Sequence, residues 1–241
     1  MGRSDVYPPD RVSTVLALLD AGHNQSEVSR ATGVSRATIR AWAVGRTPAR
    51  SASSACEVCR GTVELIPPGP YAYLLGLYLG DGYIASHRRG VFKRRITCCD
   101  AYPSLMADCA MAMAEILPNR VARAHRTGCT DVYAYSKHWP CLLPQHGPGH
   151  KHHRPIALVD WQQSIVDRFP APLLRGLIHS DGCRVLNTVN GRAYPRYEFS
   201  NASADIRDLF IRACDLMGVE WRARSFRVLS VARRSSVRPV G

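Results

Sequence analysis

Two aspartates set 181 − 81 = 100 residues apart close two copies of one apolar pattern. The first copy is Leu74-Leu75-Gly76-Leu77-Tyr78-Leu79-Gly80-Asp81-Gly82 and the second is Leu174-Arg175-Gly176-Leu177-Ile178-His179-Ser180-Asp181-Gly182. In each, the small residues fall one helical turn apart, Gly76 with Gly80 and Gly176 with Ser180, so two such helices can bring their backbones close. Packed about a pseudo-two-fold axis, they would set Asp81 and Asp181 side by side. Neighbouring carboxylates repel, and a pKa rises unless a divalent cation lies between them. Hard oxygen ligands beside phosphate favour Mg2+, and metal-bridged carboxylates are the apparatus of in-line phosphodiester cleavage. A single Asp-Gly is a common helix stop. Its ordered repetition is what carries the signal.

A second group with ligand chemistry is Cys56-Glu57-Val58-Cys59-Arg60-Gly61, which resembles one knuckle of a zinc ribbon. Cys56 and Cys59 would supply half of a closed Zn2+ site, and the residues that could complete it are Cys141, His146, His150, His152 and His153. The other reading is two free cysteines in a flexible tether. The stretch from Ser136 to Pro155, rich in His, Pro and Gly, is read first as a rigid loop linking two halves. Nine cysteines is an odd count with no evenly spaced framework, which fits a reducing cytoplasm rather than a disulfide scaffold.

These groups need elements to position them. Residues 8–46 read as an all-helical unit. Val12, Val15, Leu16 and Leu19 recur at helical spacing, Asn24 and Glu27 form a capping box, Gly33 stops the second helix, and Ser35 caps a third that buries Ile39 and Trp42. Residues 47–70 read as a linker by their Pro and Ser content. After Asp81 come a hairpin (Tyr83 to Cys98), a helix (Ser104 to Leu117) and two strands (Arg120 to His125, Asp131 to Ser136). After Asp181 come a hairpin (Arg184 to Ser200), a helix (Ala204 to Met217) and two strands (Val219 to Arg224, Arg227 to Ala232). Both halves, 71–150 and 151–241, therefore read helix, two strands, helix, two strands.

Motif, repeat order and spacing together resemble the LAGLIDADG (DOD-type) homing endonuclease family in its single-chain, two-motif form, over roughly residues 71 to 235. The resemblance implies an α+β fold, a pseudo-two-fold pair of αββαββ units preceded by a small all-α helix-turn-helix domain. It implies that Asp81 and Asp181 bind the metals and that the strands lie over a DNA major groove. It also implies a basic residue after the fourth strand of each half, where Lys137 stands in the first and Arg233 or Arg234 in the second. With its N-terminal helices, which are similar to a resolvase or homeodomain-like helix-turn-helix, the chain resembles bacterial proteins described as transcriptional regulators. The family closes each half with a further helix. Only 241 − 181 = 60 residues follow Asp181 and they include Pro239, so the expectation is either a chain cut short or an incomplete second half.

Charge agrees with a polyanionic partner. Lys plus Arg is 32 against 19 for Asp plus Glu, a formal +13, and Lys93, Lys137 and Lys151 are the only lysines. Such a surplus releases counterions from nucleic acid, and arginine forks onto phosphates and guanine edges. The candidate DNA contacts are Arg36 and Arg40 on the third helix. In the first half they are Arg88, Arg89, Lys93, Arg94 and Arg95 with Arg120, Arg123 and Arg126. In the second they are Arg184, Arg192 and Arg196 with Arg222, Arg224 and Arg227. No apolar stretch is long enough to span a bilayer, no signal pattern opens the chain, and no intein-type splicing residues flank it. The expectation is a freestanding cytoplasmic, nucleoid-associated protein that binds double-stranded DNA and not membranes. One chain carries both motifs, so a monomer suffices; a dimer through the helix-turn-helix is the alternative. Three functions compete: a Mg2+-dependent DNA endonuclease, a regulator that binds without cutting, and, ranked last, an RNA-splicing maturase.

Overall fold

The computed structural model describes residues 9–44 and 56–232, and the chain divides into two compact units, Met1–Ser54 and Ala55–Gly241. In the first unit, α1 (Pro9–Asp20), α2 (Gln25–Thr32) and α3 (Arg36–Ala43) enclose Val15, Val28, Val34, Ile39 and Trp42. The expected capping box is present: the Asn24 side chain accepts from the N–H groups of Ser26 and Glu27, and the Glu27 carboxylate accepts from Asn24 N–H. Gly33, at φ 69°, makes the left-handed turn that releases the chain into α3, which Ser35 caps. Ser29 Oγ donates to Val34 O at 2.7 Å and tightens that turn.

The second unit begins with α4 (Glu57–Arg60), which Cys56 precedes. Cys56 and Ile66 are buried in this unit's core, so residues 56–70, expected as linker, belong instead to the folded body. Then come α5 (Pro68–Leu79), β1 (Tyr83–Ser86), β2 (Phe92–Cys99), α6 (Pro103–Ile116), β3 (Val121–Arg126) and β4 (Cys129–Ser136). Two short helices follow, α7 (Trp139–Leu142) and α8 (Asp160–Arg168). The second half repeats the order with α9 (Pro170–Asp181), β5 (Gly182–Val189), β6 (Arg192–Ser200), α10 (Ala204–Leu216), β7 (Arg222–Ala223) and β8 (Val228–Val231).

Each half builds a four-stranded antiparallel sheet with the same connectivity, β1-β2-β4-β3 and β5-β6-β8-β7. The expected pair of αββαββ units is therefore present. The second is trimmed in its last hairpin: β7 spans 2 residues where β3 spans 6. Its first hairpin is long, closed by Asn190 and Gly191 at φ 49° and 72°, the two left-handed positions of a tight primed turn. No helix among the described residues is long and apolar enough to cross a membrane.

Helices α5 and α9 pack along the small residues that the repeat supplies. A Cβ on Gly176 would lie 2.3 Å from Tyr73 O, and one on Gly76 would lie 2.6 Å from Leu173 O. No side chain fits at either place, so the two backbones touch where the sequence says they can. One turn on, Gly80 meets Ser180, which explains why the second motif tolerates a hydroxyl there while the first needs glycine.

Candidate active site and nucleic-acid face

The close crossing fixes where α5 and α9 end. Asp81 follows α5 by two residues, after Gly80 leaves the helix at φ −79°, ψ −99°; Asp181 is the last residue of α9. The Asp181 carboxyl lies beside Gly80, 3.0 Å from where a Cβ there would stand. The Asp181 carboxyl thus lies against the residue that precedes Asp81, near enough for the charge of Asp81 to act on it. Burial pushes the Asp181 carboxyl up to about 6, and the charge of Asp81 adds to the rise; the Asn201 amide, which donates to Asp181 Oδ2, and Lys151 pull against it. Asp81 is raised by crowding from the surrounding protein and lowered by Lys151.

Lys151 is the residue beside the two acids that sequence reasoning missed. Its ammonium donates to the main-chain oxygens of Tyr78, Gly80 and Gly82 (3.0 Å for Gly82), capping the carbonyl end of α5. All three ammonium hydrogens are thereby used, so Lys151 is a fixed positive charge rather than a free proton donor. Burial lowers its pKa to about 8, and the charges of Asp181 and Asp81 oppose that fall. Lys137, expected in this place, is exposed beyond β4. Arg233 and Arg234 lie outside the described residues. The available signal was composition: in a chain that uses arginine almost throughout, a lysine marks a place where a compact ammonium is needed.

Strand register sorts the basic candidates. Partners across a ladder share a face, and faces alternate along a strand. On the first sheet, Lys93, Arg95 and Arg126 share the outer face with Tyr83, Tyr133 and Tyr135. Lys93 Nζ sits 3.9 Å over the Tyr133 ring, Arg95 lies 5.5 Å over Tyr83, and Arg126 pairs with buried Asp131 at 2.5 Å. On the second sheet, Arg192, Arg196 and Arg222 share the outer face with Tyr194 and Glu198. Arg36, Arg40, Arg88, Arg89, Arg120, Arg224 and Arg227 are exposed off the ladders or at their ends.

One of the candidates is buried, and two exposed ones lie on the opposite face of their strands from the rest. Arg94 is fully buried: it donates to Leu74 O at 3.0 Å, lies over the Trp139 ring, and is pulled down to about 10 by burial. It stands between Lys93 and Arg95 on a strand, so alternation sends it inward. Arg123 lies opposite Val132 and Arg184 opposite Tyr197, both on the helix-side face. Residues three apart on a strand point to opposite faces, so Arg123 and Arg126 do not line one surface.

A second constellation joins Cys56 and Cys59 to His138 and Cys141, with one ligand atom from each residue within 4.8 Å of every other. Of the expected complements only Cys141 takes part. His150 stacks on His152, His153 meets both edge-on, and His146 packs against Phe92. His138 was not foreseen, although His138-x-x-Cys141 mirrors the spacing of Cys56-x-x-Cys59.

No protein-family model matches the chain, and no curated protein sequence matches it. Among solved structures it is similar to the homing endonuclease I-DmoI in complex with DNA and Mn, at 15% identity over 71% of this chain and 93% of that one, with a TM-score of 0.46. It is also similar to the N-terminal LAGLIDADG domain of DUF199/WhiA, at 12% identity over 81% and 93%, with a TM-score of 0.45. The homing endonuclease I-WcaI bound to its DNA recognition sequence is similar at 10% identity over 73% and 80%, with a TM-score of 0.45. These are distant likenesses, with every TM-score below 0.5.

Proposed function

We propose that the chain binds double-stranded DNA through the outer faces of its two sheets and through α3, and hydrolyses a phosphodiester bond at Asp81 and Asp181. The observation that supports the reading is the Asp181 carboxyl set beside Gly80 at the end of the α5–α9 crossing, next to Asp81, with both acids raised from the ordinary carboxylate range. Raised neighbouring carboxyls are a hard oxygen donor set with unspent negative charge, and they fit Mg2+. Asp81 and Asp181 would hold it; when bound, the ion neutralises the pair and polarises a phosphate oxygen. Asn201 holds Asp181 in place by its hydrogen bond. Lys151 adds a fixed charge where negative charge develops on the phosphate. The cation–tyrosine surface of Lys93 and Arg95 suits the DNA backbone.

Purified protein incubated with a randomised duplex library, in Mg2+ or in EDTA, tests this reading. Cutting that needs Mg2+, and that disappears in Asp81→Asn and Asp181→Asn while binding persists, is the expected result. Selective binding with no cutting under either condition overturns it.

One observation favours a second reading, a helix-turn-helix regulator that binds without cleaving. The Lys151 ammonium, on the carbonyls of Tyr78, Gly80 and Gly82, already places positive charge beside both acids. On that reading Lys151 permanently takes the cation's neutralising role, and no divalent ion produces cutting.

A further inference from the structure

The Cys56, Cys59, His138 and Cys141 side chains come from segments about 80 residues apart in sequence, separations of 79 for Cys59 to His138 and 82 for Cys59 to Cys141. Each pair is set by its own rigid turn. Cys56 precedes α4 and Cys59 lies one turn on; Gly61, at φ 74°, then folds the chain back so that its N–H reaches the carbonyls of Glu57 and Val58. His138 precedes α7 and Cys141 lies one turn on, with His138 N–H donating to Ser136 Oγ and His138 O accepting from Leu142 N–H. Helix α7 is pinned beneath the first sheet: Trp139 is fully buried and its Nε1 donates to Ala134 O at 3.0 Å.

Distances decide what the cluster is for. Cys59 Sγ lies 3.6 Å from Cys56 Sγ and 3.5 Å from Cys141 Sγ, too far for a disulfide bond. Zn–S and Zn–N bonds of about 2.3 and 2.0 Å arranged tetrahedrally put sulfurs about 3.8 Å apart and sulfur to nitrogen about 3.5 Å apart. Cys59 Sγ to His138 Nδ1 is 3.5 Å. Thiols are weak donors, so these contacts by themselves repay little of the cost of gathering three sulfurs and an imidazole. The other nitrogen of the ring, His138 Nε2, is buried with no hydrogen-bond partner among the described residues, so the sulfur-facing nitrogen is what holds the ring.

We propose that Cys56, Cys59, His138 and Cys141 bind one Zn2+ in a closed, structural Cys3His site that clasps α4 to α7. Three soft sulfurs and one imidazole select zinc over the hard cations suited to Asp81 and Asp181. Four protein ligands leave no open position, so the site holds structure and does no chemistry. It fastens the start of the second unit to the segment that leads from the first half toward Lys151. The proposal does not depend on whether the chain cuts DNA.

The test uses the full chain, purified without added metal, passed through gel filtration with a weak chelator and analysed for metal. One Zn2+ per chain is expected, and replacement by Co2+ is expected to give thiolate-to-cobalt charge transfer with tetrahedral d–d absorption. Cys59→Ser and Cys141→Ser should lose the ion, whereas Cys183→Ser, at an exposed cysteine on β5, should keep it. His138→Cys should keep the metal and shift the cobalt spectrum toward four sulfurs, a readout that stands even if the serine variants fail to fold. Wild-type protein without stoichiometric zinc and without the cobalt bands overturns the proposal. So does a His138→Cys cobalt spectrum identical to wild type.

Discussion

The two halves of the second unit share a strand order and the position of an aspartate, but not an environment. Helix α5 is buried on every side from Tyr71 to Leu79, walled by α6, α8 and α9 and reached by the Arg94 guanidinium from β2. Helix α9 buries one stripe and turns Arg175 toward solvent. The first outer face stacks Lys93 and Arg95 on tyrosines and pairs Arg95 and Arg126 with Asp131. The second spends its charge on Glu198, which pairs with both Arg196 and Arg224. The halves share a backbone plan and the acids but differ in what supports them: Lys151 on the carbonyls that precede and follow Asp81, Asn201 on Asp181.

The largest test asks whether unequal surroundings still make one site. If Asp81 and Asp181 act as a unit, Asp81→Asn and Asp181→Asn should each lower the Mg2+-dependent cutting rate by more than about 100-fold, and the double variant should be no worse than either. Single-turnover assays on a selected duplex measure this, and additive losses would divide the site in two. Next in size is the helix crossing. Gly176→Ala drives a methyl to 2.3 Å from Tyr73 O and should cost about 2–3 kcal/mol by urea unfolding. Gly69→Ala, with nothing within 4 Å, should be neutral or slightly stabilising.

Much of this arrangement is legible in the sequence, because it rests on local rules. The Asn24–Glu27 capping box, the Gly33 turn, the repeated Gly76–Gly80 and Gly176–Ser180 spacing and the succession of helices and strands in both halves follow from local patterns. What stays hidden depends on long-range placement. Lys151, which reaches the carbonyls around Asp81, stands 15 residues past the end of β4 (151 − 136 = 15) and beyond α7, in a segment whose course no periodicity encodes. His138 meets Cys59 across 79 residues. Arg94 was open to reading and was misread: strand alternation between Lys93 and Arg95 sends it inward, while composition made every arginine look like surface.

That correction gives the third test, which sets inward against outward arginine. On a common duplex, Lys93→Ala and Arg95→Ala should each reduce the slope of log K against log salt by about 0.9 if each contacts one phosphate. Arg94→Met should leave the slope unchanged, since its guanidinium lies at 0% exposure. A slope that falls equally for all three would place the DNA elsewhere than on this face.

The smallest effect separates the two acids by their protons. Asp181 ionises at about 6 in the folded chain against 3.8 for an ordinary carboxyl. The native state therefore keeps a proton that the unfolded state releases between those values. This favourable contribution is complete below about 4 and is lost as pH rises through about 6. Metal-free wild-type protein should lose stability across that window relative to Asp181→Asn, which has no proton to release there. In Asp81→Asn the like-charge neighbour is gone, so the same loss should begin at the same pH but finish at a lower one, and be smaller. Divalent-ion affinity should follow the opposite course, weakening about tenfold per pH unit below about 6, because the ion requires the ionised carboxylate. Urea midpoints and Mn2+ titrations between about pH 3.5 and 7.5 read both quantities across the whole window. If Asp181→Asn unfolds with the same pH slope as wild type, the proton belongs to another group, and the two acids are as equivalent as their sequence repeat suggests.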